Sequence, residues 1–318
     1  MLRQLALNLR RNWDNMATQG LRPDTAMKQP LKPESFPASV EHAPRLFQSG
    51  ETTEKKLNCD VERLHIKVND GPDGKVTGFL HVPSPYRSGE HNKTAAILVS
   101  GAGGGVVGPS SMYLSMADKL ASLPSQQALL ALRLDYRYPA RNNYCVPDVR
   151  AAVDYLQRER QIDNVVLVGW SFGSAPVLTF AGMDDRCIGA AMVAPQTADT
   201  EGIRMMAPRP VLLCHGTGDR TLSHTCSKRL KEMYKSGDRS GRAEVKVKLF
   251  NGDDHALTRH AQEAETLITQ FIMRCAGVDM DSGLVSKTVH TPLMAGSREE
   301  KIELMKKGGD LKGNESVD

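Results

Sequence analysis

The sequence has few of the features that mark secreted, membrane-spanning or metal-binding proteins. Its six cysteines are widely scattered, with no C-x-x-C pair, so neither a compact disulfide framework nor a cysteine metal site is predicted. No apolar run reaches the roughly 18 residues that a membrane span needs, and H-E-x-x-H is absent. We therefore expect reduced thiols, no metal or other cofactor, and an intracellular, by default cytoplasmic, protein.

Neither sign of charge dominates the chain. The 41 lysines and arginines are spread among 37 aspartates and glutamates, for a net charge of +4, and aromatic residues make up only 5% of the sequence. A nucleic-acid-binding protein usually shows a basic stripe with interleaved aromatic side chains, and none is present. The composition thus favours a protein that acts on small molecules, with no nucleic-acid partner.

The two ends of the chain differ in composition from its middle. Met1–Trp13 carries three arginines and no acid, and one helical face is shared by Leu2, Leu5, Leu9 and Trp13. Prolines interrupt any period up to Asn58, and beyond Gly277 the chain is polar and lysine-rich. We predict an amphipathic segment and linker over 1–60, one domain over 61–276 and a mostly disordered tail over 277–318, with one possible short helix around Arg298–Lys307. The arginine-rich start makes a mitochondrial or other organelle location the alternative to the cytoplasm.

The middle of the chain alternates between strand and helix patterns. An antiparallel hairpin over Val61–Val82 precedes six apolar runs that are typical of buried parallel strands. These strands are predicted at Ala95–Ser100, Leu129–Leu134, Val165–Gly169, Ile188–Val193, Val211–Cys214 and Val245–Phe250, with helices at Ser111–Ala121, Val149–Gln157, Phe172–Ala181, Ser223–Tyr234 and Ala256–Cys275. The pattern predicts an α/β fold with an eight-stranded, mostly parallel sheet and helices on both faces.

A glycine-flanked serine lies between the third of these parallel strands and its helix. Gly169, Ser171 and Gly173 have the G-x-S-x-G spacing of a nucleophile elbow, in which a strained turn lifts the serine hydroxyl above the sheet. A serine hydroxyl needs a base and a carboxylate behind that base. Asp219 and His255 each follow the carboxyl end of a later strand, in the chain order serine, acid, histidine. We predict these three residues to be a catalytic triad.

Several neighbours of these residues have alternative interpretations. Asp253 and Asp254 adjoin His255, but adjacent side chains point apart, so Asp219 is preferred as the acid, with Asp135 as a loop-ordering residue or reserve acid. His215, in the tight turn before Asp219, is predicted to be structural.

A stabilised oxyanion needs backbone N–H donors next to the nucleophile. One is predicted on Phe172, and the second on Ala102, or else Gly103, in the glycine-rich loop after the first parallel strand. Trp170 and Tyr113 are candidates for lining the substrate pocket or for the core.

These motifs together resemble an α/β-hydrolase. The segments GWSFG, HGTGD and DDH, the glycine-rich loop and the run Leu134–Arg137 are most similar in style to dienelactone-hydrolase-like proteins and small serine esterases, over roughly Val61 to Cys275. The resemblance implies a serine hydrolase that works through an acyl-enzyme. Two residues depart from the family pattern: dienelactone hydrolases have cysteine where this chain has Ser171, and Ser100 stands where many members have histidine.

Two other functions are compatible with parts of the sequence. A non-catalytic α/β-hydrolase scaffold is one alternative, and an NAD-dependent oxidoreductase is another, because Gly103, Gly105 and Gly108 match a dinucleotide fingerprint, although Pro109 delays the helix. Esters, thioesters, amides and lactones share a tetrahedral intermediate, so the triad leaves the acyl substrate open.

Only about 16 residues, 194–209, are available for a lid, which predicts a minimal lid and an open, shallow pocket.

Overall fold

The computed structural model describes residues 57–71, 74–242, 244–294, 296–313 and 315–317. The predicted amphipathic segment and most of the predicted linker lie outside these residues. None of the helices in the described ranges is long and apolar enough to cross a membrane. The six cysteines all fall within the described ranges, and all are free thiols.

The domain is built on one eight-stranded sheet whose order is β1-β2-β4-β3-β5-β6-β7-β8. Strand β2 pairs antiparallel with both β1 and β4, and every other neighbouring pair is parallel. The strands are β1 Cys59–Val68, β2 Gly74–Pro83, β3 Thr94–Val99, β4 Leu130–Leu134, β5 Asn164–Trp170, β6 Cys187–Val193, β7 Val211–Gly216 and β8 Val245–Phe250. The predicted eight-stranded, mostly parallel sheet is confirmed.

Helices cover both faces of this sheet because the central strands are apolar on both sides. Every residue of β3 is buried, and alternate residues such as Leu98 and Ile97 belong to two separate apolar clusters. The helices are α1 Met112–Ala121, α2 Asn142–Arg160, α3 Ser174–Met183, α4 Thr225–Gly237, α5 Ala261–Cys275, α6 Gly283–Val289 and α7 Arg298–Gly308. Helices α1, α5, α6 and α7 contribute to one cluster, and α2, α3 and α4 to the other.

Two helices begin more than one helical turn away from their predicted first residues. Helix α2 begins at Asn142 rather than Val149, so Pro147 lies inside the helix as its sixth residue, where one N–H of the i→i−4 series is missing. Helix α5 begins at Ala261 rather than Ala256. The carboxylates of Asp253 and Asp254 accept the backbone N–H groups that precede this helix and hold them in a non-helical turn.

The segment beyond Gly277 is more ordered than predicted, although the short helix expected around Arg298–Lys307 is present. It contains helices α6 and α7, and Ser297 caps α7 by accepting a hydrogen bond of 3.1 Å from the Glu300 N–H. Val289 and Met305 of this segment are buried in the apolar cluster beside α1 and α5. The polar composition concealed this packing, because a few apolar side chains in short helices are enough to attach the segment to the domain.

Candidate active site

Ser171 lies at a strained turn between β5 and α3. Its φ is +52°, in the left-handed region that non-glycine residues rarely adopt, and the side chain is only 5% exposed. A Cβ on Gly173 would lie 2.4 Å from the Ser100 carbonyl oxygen, so glycine is required for the turn to approach the end of β3. The strand, turn and helix predicted around Ser171 are present.

Asp219 and His255 meet across the loops that follow β7 and β8. The Nδ1 atom of His255 lies 2.7 Å from Oδ2 of Asp219, and both side chains are buried. Because Nδ1 faces a carboxylate, it carries a proton and leaves Nε2 to act toward the substrate. The structure thus brings together the acid and the histidine that the chain order predicted.

Four donors fix the carboxylate of Asp219. Besides His255, these are Nε2 of His215 at 3.1 Å, the Thr221 N–H at 2.9 Å and the Leu222 N–H at 2.8 Å. Burial alone would raise the pKa of Asp219, but the hydrogen bonds from the two histidines outweigh it and hold this pKa well below its usual range. Asp219 is therefore ionised at neutral pH.

His215 is one residue whose role the sequence did not reveal. Its Nε2–H serves both Asp219 and the Leu222 carbonyl at 3.0 Å, and its Nδ1 lies 2.8 Å from the Ser227 hydroxyl. The predicted structural role is thus specifically the support of Asp219. The only sequence signal is the close spacing of the two residues, which by itself is also compatible with an ordinary turn.

The other two acids near His255 point away from its ring. Asp253 accepts from the backbone of Arg259 and His260 and contacts the His260 ring at 2.8 Å, whereas Asp254 holds the backbone of Ala256 and Thr258. Both order the loop rather than the imidazole.

The glycine-rich loop is ordered by a third acid. Oδ1 of Asp135 accepts the N–H groups of Gly105 and Tyr136, each at 2.8 Å, and burial raises its pKa. This is the loop-ordering role that was predicted for Asp135, and it uses the carboxylate that a ribose would need in the dinucleotide alternative.

The free nitrogen of His255 is occupied by the carboxyl-terminal segment. Nε2 lies 3.0 Å from Oε1 of Glu315, and the other carboxylate oxygen of Glu315 accepts the N–H of Ala102. Among the described residues there is no hydrogen bond between the Ser171 hydroxyl and His255. No local pattern in the polar tail pointed to Glu315.

The two carboxylates change the acidity of the histidine between them. Burial by itself lowers the pKa of His255, but the hydrogen bonds and charges of Asp219 and Glu315 outweigh it and raise this pKa to about 9. At neutral pH His255 is therefore an imidazolium while Glu315 is in place, and it cannot accept a proton from serine.

The predicted pocket residues lie mainly in the interior. Trp170 is buried, and its indole N–H donates to the His255 carbonyl at 3.0 Å, while the Tyr113 hydroxyl donates to the Val99 carbonyl at 3.0 Å. Phe172 directly follows Ser171, and its ring packs edge-on against Tyr136. Gly103 lies against the tail, since a Cβ there would be 2.5 Å from the Asp310 carbonyl oxygen. A substrate-binding role for Trp170 or Tyr113 stays a prediction.

The site is also more covered than the sequence predicted. Between β6 and β7 there is only the short turn Glu201–Met205, in keeping with a minimal lid. The cover instead comes from the carboxyl-terminal segment, and His255 is completely buried. The prediction of an open, shallow pocket is wrong for this state of the chain, because it considered only the connection between β6 and β7.

One cluster elsewhere has the composition of a metal site. Cys59, His81 and Asp118 offer ligand atoms within 4.8 Å of one another. However, His81 already uses Nδ1 toward Asp118 at 2.8 Å and Nε2 toward the Arg133 guanidinium at 2.8 Å. A buried guanidinium supplies the positive charge that a metal ion would bring, so we interpret the cluster as a buried hydrogen-bond network.

Comparison with known proteins agrees with this fold. Residues 96–213 match the model of the alpha/beta hydrolase family, and no curated protein matches the sequence significantly. The esterase Est1E from Butyrivibrio proteoclasticus has a similar structure, with 16% identity, a TM-score of 0.53 and coverage of 68% of this chain and 99% of that one. An esterase from Pyrobaculum calidifontis has 14% identity and a TM-score of 0.53, covering 68% and 85%.

A further similar structure is an alpha-beta serine hydrolase homologue from Coxiella burnetii. It has 18% identity and a TM-score of 0.52, and the alignment covers 69% of this chain and 100% of that one. At such identities the likeness concerns the fold. The eight-stranded sheet, the serine turn and the match over residues 96–213 thus agree on the fold of an α/β-hydrolase.

Proposed function

We propose that the protein is a serine hydrolase that cleaves an ester or thioester of a small molecule through an acyl-enzyme. The observation that carries the proposal is the arrangement around the Glu315 carboxylate. His255 Nε2 and the Ala102 N–H bind its two oxygens, next to the elbow that carries Ser171. A base and an oxyanion donor that converge on one carboxyl group are suited to a tetrahedral intermediate and to the acid product.

In the proposed acylation step, Ser171 Oγ attacks the acyl carbonyl carbon while neutral His255 takes the hydroxyl proton at Nε2. The carbonyl oxygen becomes an oxyanion that accepts from Ala102 N–H and from the N–H of Phe172, with Gly103 as the alternative donor. The C–O or C–S bond then breaks, and the leaving group takes the proton from His255. Asp219 stabilises the imidazolium throughout, without becoming protonated.

Deacylation repeats these steps with water as the nucleophile. His255 removes a proton from water, the hydroxide attacks the acyl-enzyme carbonyl, and Ser171 leaves with the proton returned by His255. The product is a carboxylic acid, which ionises. Its carboxylate would occupy the oxygen positions that Glu315 fills in the structure.

A fluorophosphonate probe tests the proposal, because it reacts with activated serine hydroxyls. We expect one label, at Ser171, and none in Ser171→Ala or His255→Ala. Turnover of a panel of acyl esters and thioesters should fall by about 10⁶-fold in Ser171→Ala, as for other serine triads. Labelling that persists in Ser171→Ala would refute Ser171 as the nucleophile, and the panel distinguishes esters from thioesters.

A non-catalytic binding protein is the second candidate. It is favoured by one observation, that His255 Nε2 contacts Glu315 rather than the Ser171 hydroxyl. This candidate predicts that neither the wild type nor a variant without the Glu315 carboxylate is labelled by the probe. Labelling of either protein by the probe would refute the non-catalytic candidate.

A further inference from the structure

The carboxyl-terminal segment enters the active site along the glycine-rich loop. Immediately after α7, Asp310 is fully buried and its Oδ1 accepts from the Ser100 hydroxyl at 2.5 Å and the Gly108 N–H at 2.8 Å. Its Oδ2 accepts the Val107 N–H at 3.2 Å. Three donors of the loop are thus satisfied by one tail carboxylate, which fixes where the last residues begin their path.

The loop is shaped to fit this path. A Cβ on Gly103 would lie 2.5 Å from the Asp310 carbonyl oxygen and 2.7 Å from the Lys312 nitrogen, and a Cβ on Gly101 would lie 2.3 Å from Oε2 of Glu315. Real Cβ atoms essentially never approach another heavy atom as closely as these three distances. The absence of side chains at these two positions therefore serves the tail, in addition to any approach of a substrate.

Glu315 then reaches the centre of the site. One oxygen accepts from the Ala102 N–H and the other lies 3.0 Å from His255 Nε2, and the side chain is almost completely buried. We define the Ala102 N–H and His255 Nε2 as the carboxylate seat. An acyl substrate needs both of these groups, so it cannot react while Glu315 occupies the seat.

The occupant itself cannot be a substrate. It is a side-chain carboxylate, which has no leaving group, and not a backbone carbonyl that the serine could attack. Lys312 and Ser316 on either side are exposed, while Leu311 and Val317 are only partly buried against the apolar cluster. The segment is thus held by two carboxylates and a small apolar area, which is compatible with release.

We propose that the carboxylate seat is a binding site for carboxylates and that Glu315, held in place with Asp310, fills it as an intramolecular competitive inhibitor. The inference rests on the proposed hydrolase function. Opening of the segment frees His255 and the oxyanion donor together. The rate of reaction at Ser171 is then the rate of the open protein multiplied by the fraction of molecules in which the segment is open.

The test compares labelling rates of full-length variants with the fluorophosphonate probe. Glu315→Ala should be labelled about tenfold faster than the wild type or more, since it removes two charge-assisted contacts. Glu315→Gln keeps the size but not the charge and should lie between the two. Glu303→Gln changes the charge equally at an exposed position of α7, where Glu303 pairs only with Lys307, and should label like the wild type.

Free acetate provides a second arm that does not depend on tail structure. In Glu315→Ala the vacant seat should bind acetate, so acetate should slow labelling competitively with the probe, while neutral acetamide should not. In the wild type the seat is filled and acetate should have a smaller effect. Loss of this difference between acetate and acetamide would contradict a carboxylate-binding seat.

The outcomes separate the inference from the proposed function. If Glu315→Ala and the wild type are labelled at equal rates, or if Glu315→Ala is labelled more slowly, the inhibition is overturned and the hydrolase proposal stands. If no full-length protein is labelled, the hydrolase proposal fails and the inhibition fails with it. Thermal unfolding midpoints of all variants check that the compared proteins are folded.

Discussion

Two carboxylates meet the two ring nitrogens of His255, and the chain holds them in different ways. Asp219 follows a strand of the sheet and is fixed by two histidines and two backbone N–H groups. Glu315 lies on the chain end and has one backbone N–H donor besides His255. In the hydrolase and the inhibition that we propose, contact with the same ring serves opposite purposes: Asp219 orients the base, and Glu315, on a segment that can open, blocks it.

Removal of the Asp219 charge should have the largest effect. We expect Asp219→Asn to lower kcat for ester hydrolysis by about 10⁴-fold, because His255 loses both its orientation and the stabilisation of its charged form. The comparison variant is Asp254→Asn, which keeps an acceptor for the loop and should cost less than about tenfold. Steady-state kinetics with matched unfolding midpoints measure both. A greater loss of kcat in Asp254→Asn than in Asp219→Asn would show that Asp219 is not the triad acid.

A smaller effect is expected where Asp219 itself is supported. His215→Phe removes one donor to Asp219, and we expect kcat to fall by about 10²-fold through misplacement of the acid. Since the His215 hydrogen bond lowers the pKa of Asp219, its loss should raise that pKa, which NMR titration of the Asp219 carboxyl measures.

His215→Gln is the matched control for this positioning role, because an amide N–H can replace the lost donor. It should restore part of kcat and part of the lowering of the Asp219 pKa. An unchanged Asp219 pKa in His215→Phe, despite reduced kcat, would show that His215 acts only on the fold.

The smallest effect concerns the pH at which the histidine becomes a base. With Glu315 in place, the pKa of His255 is about 9, so the neutral base forms only as the pH rises through that value. Asp219 and Glu315 are the charged groups that face the ring nitrogens. In Glu315→Ala only Asp219 remains, and the apparent pKa in kcat/KM should fall below that of the wild type.

The same shift predicts how stability changes with pH. A histidine whose pKa is raised by folding contributes stability that is fully present below its unfolded pKa of roughly 6.5 and is lost as the pH rises through about 9. The free energy of unfolding of the wild type should therefore decline over that interval, and Glu315→Ala should decline less. Urea titrations at several pH values measure the slopes; equal slopes would mean that Glu315 does not act on His255.

The sequence predicted the strands, the serine turn and the pairing of Asp219 with His255, because each follows from a short residue pattern or from the order of the strands. Continuous apolar runs such as Ala95–Val99 indicate buried parallel strands, and the glycines around Ser171 indicate the turn because that close approach excludes a Cβ. Chain order alone was enough to pair Asp219 with His255, since the carboxyl ends of parallel strands share one edge of the sheet.

The contacts of the tail could not be predicted in this way. Asp310 and Glu315 lie in a polar, aperiodic stretch, and their partners Ser100 and Ala102 are more than 200 residues away in the sequence. A carboxylate bound by backbone N–H groups leaves no trace in hydrophobic periodicity. For the same reason, the polar tail was interpreted as unstructured although short apolar stretches anchor it.

The close fit between the glycine-rich loop and the tail also has an evolutionary consequence. A methyl group at Gly101 or Gly103 would displace Glu315 or Asp310, so the two segments can change only as a pair although 213 residues separate Ala102 from Glu315. Among descendants of this gene, those that lose the acidic tail residues become free to carry side chains at positions 101 and 103, and those that keep them do not. Covariation of positions 101 and 103 with positions 310 and 315 would therefore indicate that relatives retain the contacts of Asp310 and Glu315 with the glycine-rich loop.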